Sequence, residues 1–194
     1  MALWGKNTSD ESKPKNLTTA QKREVYANNL GWVQEAGTVA SGNGNANATP
    51  EVLVALGGLA TALGQATIDA VSFDVGQTVS GAGGSSLKVF VHFNEQVTIA
   101  GGSPLMVVSN NRAGGGGSSS LTLTMDGGAG TRDSLQFSTT ATNAQVNEDD
   151  VLSIGAQTID LNGATIVDAV GGGNAVRTVT AAVGSAAGTI TVGS

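Results

Sequence analysis

From Ile68 to the C-terminus, short apolar runs alternate with clusters of glycine and other turn residues. β-type runs recur at 70–75, 87–93, 105–108, 121–125, 135–139, 151–154, 165–167, 176–182 and 189–192. Clusters of Gly, Asn, Asp and Ser separate them at 81–86, 101–104, 110–120, 126–133, 143–150 and 171–174. Strands this short, punctuated this regularly, predict an all-β domain in the form of an antiparallel immunoglobulin-like sandwich, with an up-and-down barrel as the competing topology. The run at 87–93 alternates: Leu87, Val89, Val91 and Phe93 share one face, and Lys88, His92 and Asn94 the other. The first face reads as core and the second as solvent-facing.

Composition narrows the class further. The 29 glycines among 194 residues are about twice the share in average proteins, roughly 7%. Charged residues make up only 12%, yet hydrophobic residues still reach 40%, which a disordered chain would lack. Val, Leu and Ile must fill the core, with Phe73, Phe90, Phe93 and Phe137 as its large side chains. One histidine and no cysteine exclude disulfide scaffolds, cysteine-ligated zinc and Cys–His catalysis. A net charge of −6 argues against a nucleic-acid partner.

The N-terminal third differs in kind. Residues 1–50 carry five basic and four acidic side chains, a net of +1, which leaves −7 for the other 144 residues. Residues 1–16 are polar and aperiodic and read as an extended arm. Thr18 or Thr19 is placed to cap a short helix from Ala20 to Tyr26, ended by Asn28, Asn29 and Gly31. Around the low-complexity segment 40–50, Trp32-Val33 and the run at 52–56 are placed to pair as strands. A helix over 51–63 competes, because Val52, Leu56, Leu59 and Leu63 recur at helical spacing, but Gly57-Gly58 weakens it. The expected division is therefore an arm, helix and docking hairpin over 1–66 and a sandwich over 67–194. No export-type apolar segment follows Met1, and the longest apolar stretch, 52–63, is too short to cross a bilayer. A cytoplasmic chain with no membrane partner is the expectation.

The search for chemistry leaves no catalytic residue, cofactor site or metal site to predict. His92, the single histidine, reads as a solvated side chain, and no serine has the Gly-x-Ser-x-Gly context a triad needs. The glycine runs 81–84 and 114–117 lack the Lys-Ser/Thr of a phosphate loop. They read as flexible surface loops, with Arg112 solvated beside the second. Glu148-Asp149-Asp150 and the pair Asp126 and Asp133 are the only acid groupings. Without Asp-x-Asp-x-Asp-Gly spacing they read as solvated turns rather than a calcium site. Trp4, Tyr26 and Trp32 stand out as the aromatics in or beside the arm. Either Trp32 plugs the end of the sandwich, or the three anchor the arm in a neighbouring subunit.

Two resemblances bear on function. Val91-His92-Phe93-Asn94-Glu95-Gln96-Val97, together with 161–175 running Leu-Asn-Gly-Ala-Thr-Ile-Val-Asp-Ala-Val-Gly-Gly-Gly-Asn-Ala, resembles the Ig-like modules of bacterial surface and S-layer-type proteins. Gln96 stands where those modules usually carry proline. This resemblance implies fold and no single activity. Residues 1–6 (Met-Ala-Leu-Trp-Gly-Lys), 10–15 (Asp-Glu-Ser-Lys-Pro-Lys) and 28–33 (Asn-Asn-Leu-Gly-Trp-Val) resemble the start of virion structural proteins of T4-like marine phages, notably cyanophages. That resemblance implies a non-enzymatic virion protein, a capsid decoration or cement protein docked on the major capsid protein through its N-terminal segment. It leaves self-association and a host-surface glycan as further partners. Neck, tail or fibre attachment, or a cell-surface adhesive or carbohydrate-binding module, are the alternatives.

Overall fold

The computed structural model describes residues 13–28, 30–37, 45, 48–55 and 64–194. Chain order begins with helix α1 (Thr19–Arg23) and strands β1 (Val25–Asn28), β2 (Gly31–Gln34) and β3 (Glu51–Ala55). Thr18 caps α1 in a reciprocal box: its hydroxyl accepts from the Gln21 amide at 3.2 Å, and Gln21 Oε1 accepts from the Thr18 amide at 2.9 Å. The helix stops earlier than its sequence predicts. Val25 and Tyr26 pair with Gln34 and Val33 across β2, so long-range pairing overrides the local helical spacing. The predicted pairing of Trp32-Val33 with the run beginning at Val52 is present: β2 lies antiparallel to β3, with a register shift between Trp32 and Val33. The end of the 51–63 run beyond Ala55 lies outside the described residues.

The body is antiparallel β, as the punctuation predicts. Its strands are β4 (Ile68–Phe73), β5 (Gly83–Gly101), β6 (Leu105–Asn110), β7 (Ser120–Met125), β8 (Gly130–Thr142), β9 (Val151–Ser153), β10 (Gln157–Thr158), β11 (Ala164–Asp168) and β12 (Thr178–Val179). Helix α2 (Ala181–Ala186) and β13 (Thr189–Thr191) complete the chain. One large curled sheet runs β11-β5-β8-β7-β6-β9-β13, with β4 also on β5, and β10 pairs β12 in a separate ribbon. The predicted strand at 176–182 is the clearest departure. Thr180 accepts from the Val183 amide and starts a helix through the Ala-rich segment that follows. Gly184 lets that helix approach β9 closely, since a Cβ there would stand 2.4 Å from the Ile154 carbonyl oxygen.

β5 organises the sheet. Its first half pairs β4 and its last residues pair β11, while β8 follows it along the other edge. The register against β8 breaks between His92 and Val97, a bulge at which the strand changes partner. Leu87, Val89, Val91 and Phe93 enter the core with Leu121, Leu123 and Met125 of β7 and Leu135 and Phe137 of β8. That face behaves as its alternation requires.

Two carboxylates tie the loops to the sheet. Asp150, fully buried, accepts from Asn110 Nδ2 at 2.7 Å and from the Gly114 and Asn147 amides at 2.9 Å each. The solvated acidic turn expected over 148–150 is thus corrected at its last residue, and the glycine run at 114–117 is pinned. A Cβ on Gly114 would fall 2.0 Å from the Glu148 carbonyl oxygen, which explains a glycine there. Asp168 accepts from the Val170 and Gly171 amides at 2.7 and 2.6 Å and from the Ala66 amide at 3.1 Å. It fastens the 161–175 motif to the start of β4.

Candidate functional site

The opposite face of β5 carries Phe90 and His92, and both are buried. This corrects the reading of His92 as a solvated side chain. The N-terminal sheet lies over it: the Tyr26 ring stacks on the imidazole with centroids 4.1 Å apart and 25° between planes. Tyr26 and Asn28 project from the same face of β1, so Asn28 reaches the body too, and its amide donates to Asp133 Oδ2 of β8. Glu35, just past β2, brings Oε1 to 2.5 Å from His92 Nε2. Glu24, between α1 and β1, is buried, and Gln34 Nε2 donates to it at 3.4 Å. The ammonium of Lys13, also buried, donates to the Lys22 carbonyl at 2.6 Å.

Glu24, Glu35, Asp133 and His92 are thus withdrawn from water where the two sheets meet. Burial raises the Glu35 pKa well above its ordinary 4.5, and the charges of Glu24 and Asp74 push the same way. Burial lowers the His92 pKa to about 3, against the opposing pull of Asp133. The Tyr26 hydroxyl is pushed well above 10.0 by burial and by Asp133 beside it. Asp133 is raised by burial, although the bond from Asn28 pulls it down. Two buried ions at 2.5 Å would need further hydrogen bonds to repay desolvation. Burial thus works against the charged form of each group, and the imidazole is neutral.

A cleft of about 400 Å³ opens beside this layer, between α1 and β1, β4 with the loop after it, and the end of α2 with β13. Lys13, Arg23 and Asp74 line it, with Tyr26 and His92 deeper. The Tyr26 hydroxyl, His92 Nδ1 and Asp74 Oδ1 are nevertheless sealed from solvent. A molecule in the cleft would not reach these three atoms. Among the described residues no group of three or more His, Asp or Glu side chains is arranged to hold a metal ion. Asp126 and Asp133, grouped by sequence, serve different places: Asp126 accepts from Gln136 Nε2 at 2.7 Å and from Ser138 Oγ at 2.8 Å, whereas Asp133 meets Asn28.

The three aromatics singled out by sequence do not converge. Trp4 lies outside the described residues. Tyr26 and Trp32 are both buried, but cross-strand pairing sets Tyr26 with Val33 and Trp32 with Ala27, so they project from opposite faces of the β1–β2 pair. Sequence reading missed Glu24, Asn28, Glu35, His92 and Asp133. The available signal was Phe90: an aromatic two residues from His92, on the supposedly wet face of β5, implies a cover on that face as well. The chain matches no family model, no curated protein and no solved structure.

Proposed function

We propose that the protein is a non-enzymatic virion structural protein, a capsid decoration or cement protein that docks through its N-terminal segment and displays an Ig-like sandwich. The observation that carries this reading is the distribution of exposed apolar side chains. Among the described residues five large hydrophobics are exposed, and three belong to the N-terminal sheet: Leu30 at 41%, Val52 at 42% and Val54 at 41%. β3 is also the outer strand of that sheet. An edge strand bearing exposed valines is a natural place for another chain to add. The body, residues 67–194, carries four basic and ten acidic side chains, a net of −6. The curled antiparallel body is the displayed domain in this reading, and the resemblances of 1–33 and 87–176 supply the virion setting and the module class.

Mass spectrometry of purified particles, with heads separated from tails, tests the assignment. Abundant peptides in heads are expected. Peptides confined to tails would move the protein to a neck, tail or fibre role, and absence from both would overturn the virion reading in favour of a secreted adhesive module. Docking is tested by Val52→Asp with Val54→Asp, since both side chains are exposed and the chain should stay folded. We expect occupancy on particles to fall at least tenfold, and unchanged occupancy would remove β3 from the interface. Trp32→Ala is the poorer probe, because it strips packing from inside the sheet it is meant to test.

A further inference from the structure

The cleft between the N-terminal segment and the body reverses the charge of the chain around it. Residues 13–23, which supply Lys13 and Arg23 to one wall, hold four cations (Lys13, Lys15, Lys22 and Arg23) and no acid, in a chain of net charge −6. Among the described residues Asp74 is the one acid on the lining. Its Oδ2 faces Lys88 Nζ at 3.9 Å, and its Oδ1 is sealed from solvent. Glu24, next to Arg23 in sequence, is buried and does not line the cleft. The Lys13 ammonium is fixed on the Lys22 carbonyl at 2.6 Å. Arg23 is exposed, and among the described residues nothing engages its guanidinium. Such a group at the rim of a cavity pairs bidentately with a carboxylate or a phosphate.

The facing wall supplies hydroxyls. Thr189 and Thr191 alternate on β13, with Ile190 packed against the core between them. Thr78 stands just past a turn closed by the Gln77 amide on the Asp74 carbonyl. All three threonines are exposed and line the cleft. Gln77 braces the turn: its Nε2 donates to the Lys88 carbonyl and its Oε1 accepts from the Lys88 amide, each at 2.8 Å. This wall is therefore preformed on the body. A volume of about 400 Å³ lies toward the lower end of small-molecule sites, roughly 300–1,000 Å³, and has room for one sugar ring with its anionic group. We propose that the cleft is a binding site for a small hydroxylated oxyanion, a sugar acid or sugar phosphate, that bridges Arg23 of the N-terminal segment and the threonines of the body.

Bridging gives the ligand a second effect. The body's apolar cluster runs from Ala66 to Val192, and none of the described residues of the N-terminal sheet belongs to it. That sheet is seated instead through Tyr26 on His92 and Asn28 on Asp133. A molecule that binds only when the segment is docked stabilises the docked state by mass action, so opening falls by the factor one plus ligand concentration over Kd. β3 does not line the cleft. The site is therefore separate from the strand proposed to dock on the particle, and neither reading depends on the other.

Titrating the full chain with glucuronate, glucose 6-phosphate and glucose, followed by amide NMR shifts at about 0.15 M salt to screen long-range attraction, tests the site. Glucuronate, glucose 6-phosphate or both should bind saturably with a Kd of about 1 mM or tighter and shift the amides of Arg23, Thr78, Thr189 and Thr191. Binding of the first alone assigns a carboxylate ligand, and of the second alone a phosphate. Arg23→Gln, at an exposed position, should weaken binding about tenfold or more. Thr189→Val with Thr191→Val, which keeps the strand's shape, should weaken it about fivefold. Binding of neither anion, glucose binding as tightly as the anions, or unchanged affinity in Arg23→Gln would overturn the site. With the bound anion at about ten times its Kd, hydrogen exchange in peptides covering 25–35 should slow about tenfold while peptides covering 121–137 stay as they were. Unchanged exchange at saturation would overturn the bridge.

Discussion

Asp150→Ala is expected to destabilise the body by about 2–4 kcal/mol and to lower its melting midpoint by about 5–10 °C. The carboxylate holds Asn110 at the end of β6, Gly114 in the following loop and Asn147 before β9, so three chain segments lose their common acceptor at once. Asn110 is buried, Asn147 half-buried and Gly114 exposed, so the Asn110 amide bears most of the cost of about 1–3 kcal/mol for a stranded donor, and water takes up part of the other two. Asp150→Asn keeps the shape but loses the charge and turns one acceptor into a donor, and about half the loss is expected. The pH dependence separates charge from shape. Burial opposes ionisation of Asp150, but the bonds from Asn110, Asn147 and Gly114, helped by Arg112, hold its pKa below the ordinary 3.8. A depressed carboxyl contributes stability that is present above 3.8 and is lost as pH falls through its lower folded value. The gap between wild type and the asparagine variant should therefore be full at pH 7 and shrink below pH 4. Thermal unfolding followed by circular dichroism measures both. A gap that persists at pH 2 would assign the effect to packing rather than to the charge.

How much of this was legible in the sequence depends on which kind of signal wrote it. Alternation at Leu87, Val89, Val91 and Phe93 is a local, period-two signal, and it placed those side chains correctly in the core. The β2–β3 pairing was legible for the same reason, as two apolar runs around a turn-rich segment. The α2 helix was not, because 176–182 carries valine and threonine at strand-like positions and the deciding Thr180 cap is a single hydroxyl. Asp150 and Asp168 looked like members of solvated turns, since a sequence shows that a carboxylate is present and not how many amides point at it. The candidate site was the least visible part. His92 and Asp133 belong to the body, while Glu35, Tyr26 and Asn28 come from a segment whose composition suggested an arm reaching elsewhere. Their meeting is a tertiary event over long separations, and only Phe90 hinted that the second face of β5 has a roof.

Phe137→Ala tests the core at its centre. Phe137 is fully buried on β8, opposite Val89 of β5 on one side and Met125 of β7 on the other. Only four phenylalanines exist in the chain, and Phe90 faces away from this core, so few large side chains are available to collapse into the vacated space. The expected cost is about 3–5 kcal/mol, transfer and cavity contributions together. Phe137→Leu keeps most of the volume and should cost about 1–1.5 kcal/mol. Urea unfolding distinguishes this loss from a change of cooperativity: the midpoint should move to lower urea while the slope is retained, since the same surface is still exposed on unfolding. Phe90→Ala provides the contrast. Removing a side chain from the outer face should raise exchange in 25–35 before it lowers the body's midpoint, because what it loosens first is the N-terminal sheet. Equal effects of Phe90→Ala and Phe137→Ala on the body's midpoint would mean that the two faces of β5 unfold as one unit, and the N-terminal sheet would then be part of the core rather than a layer laid upon it.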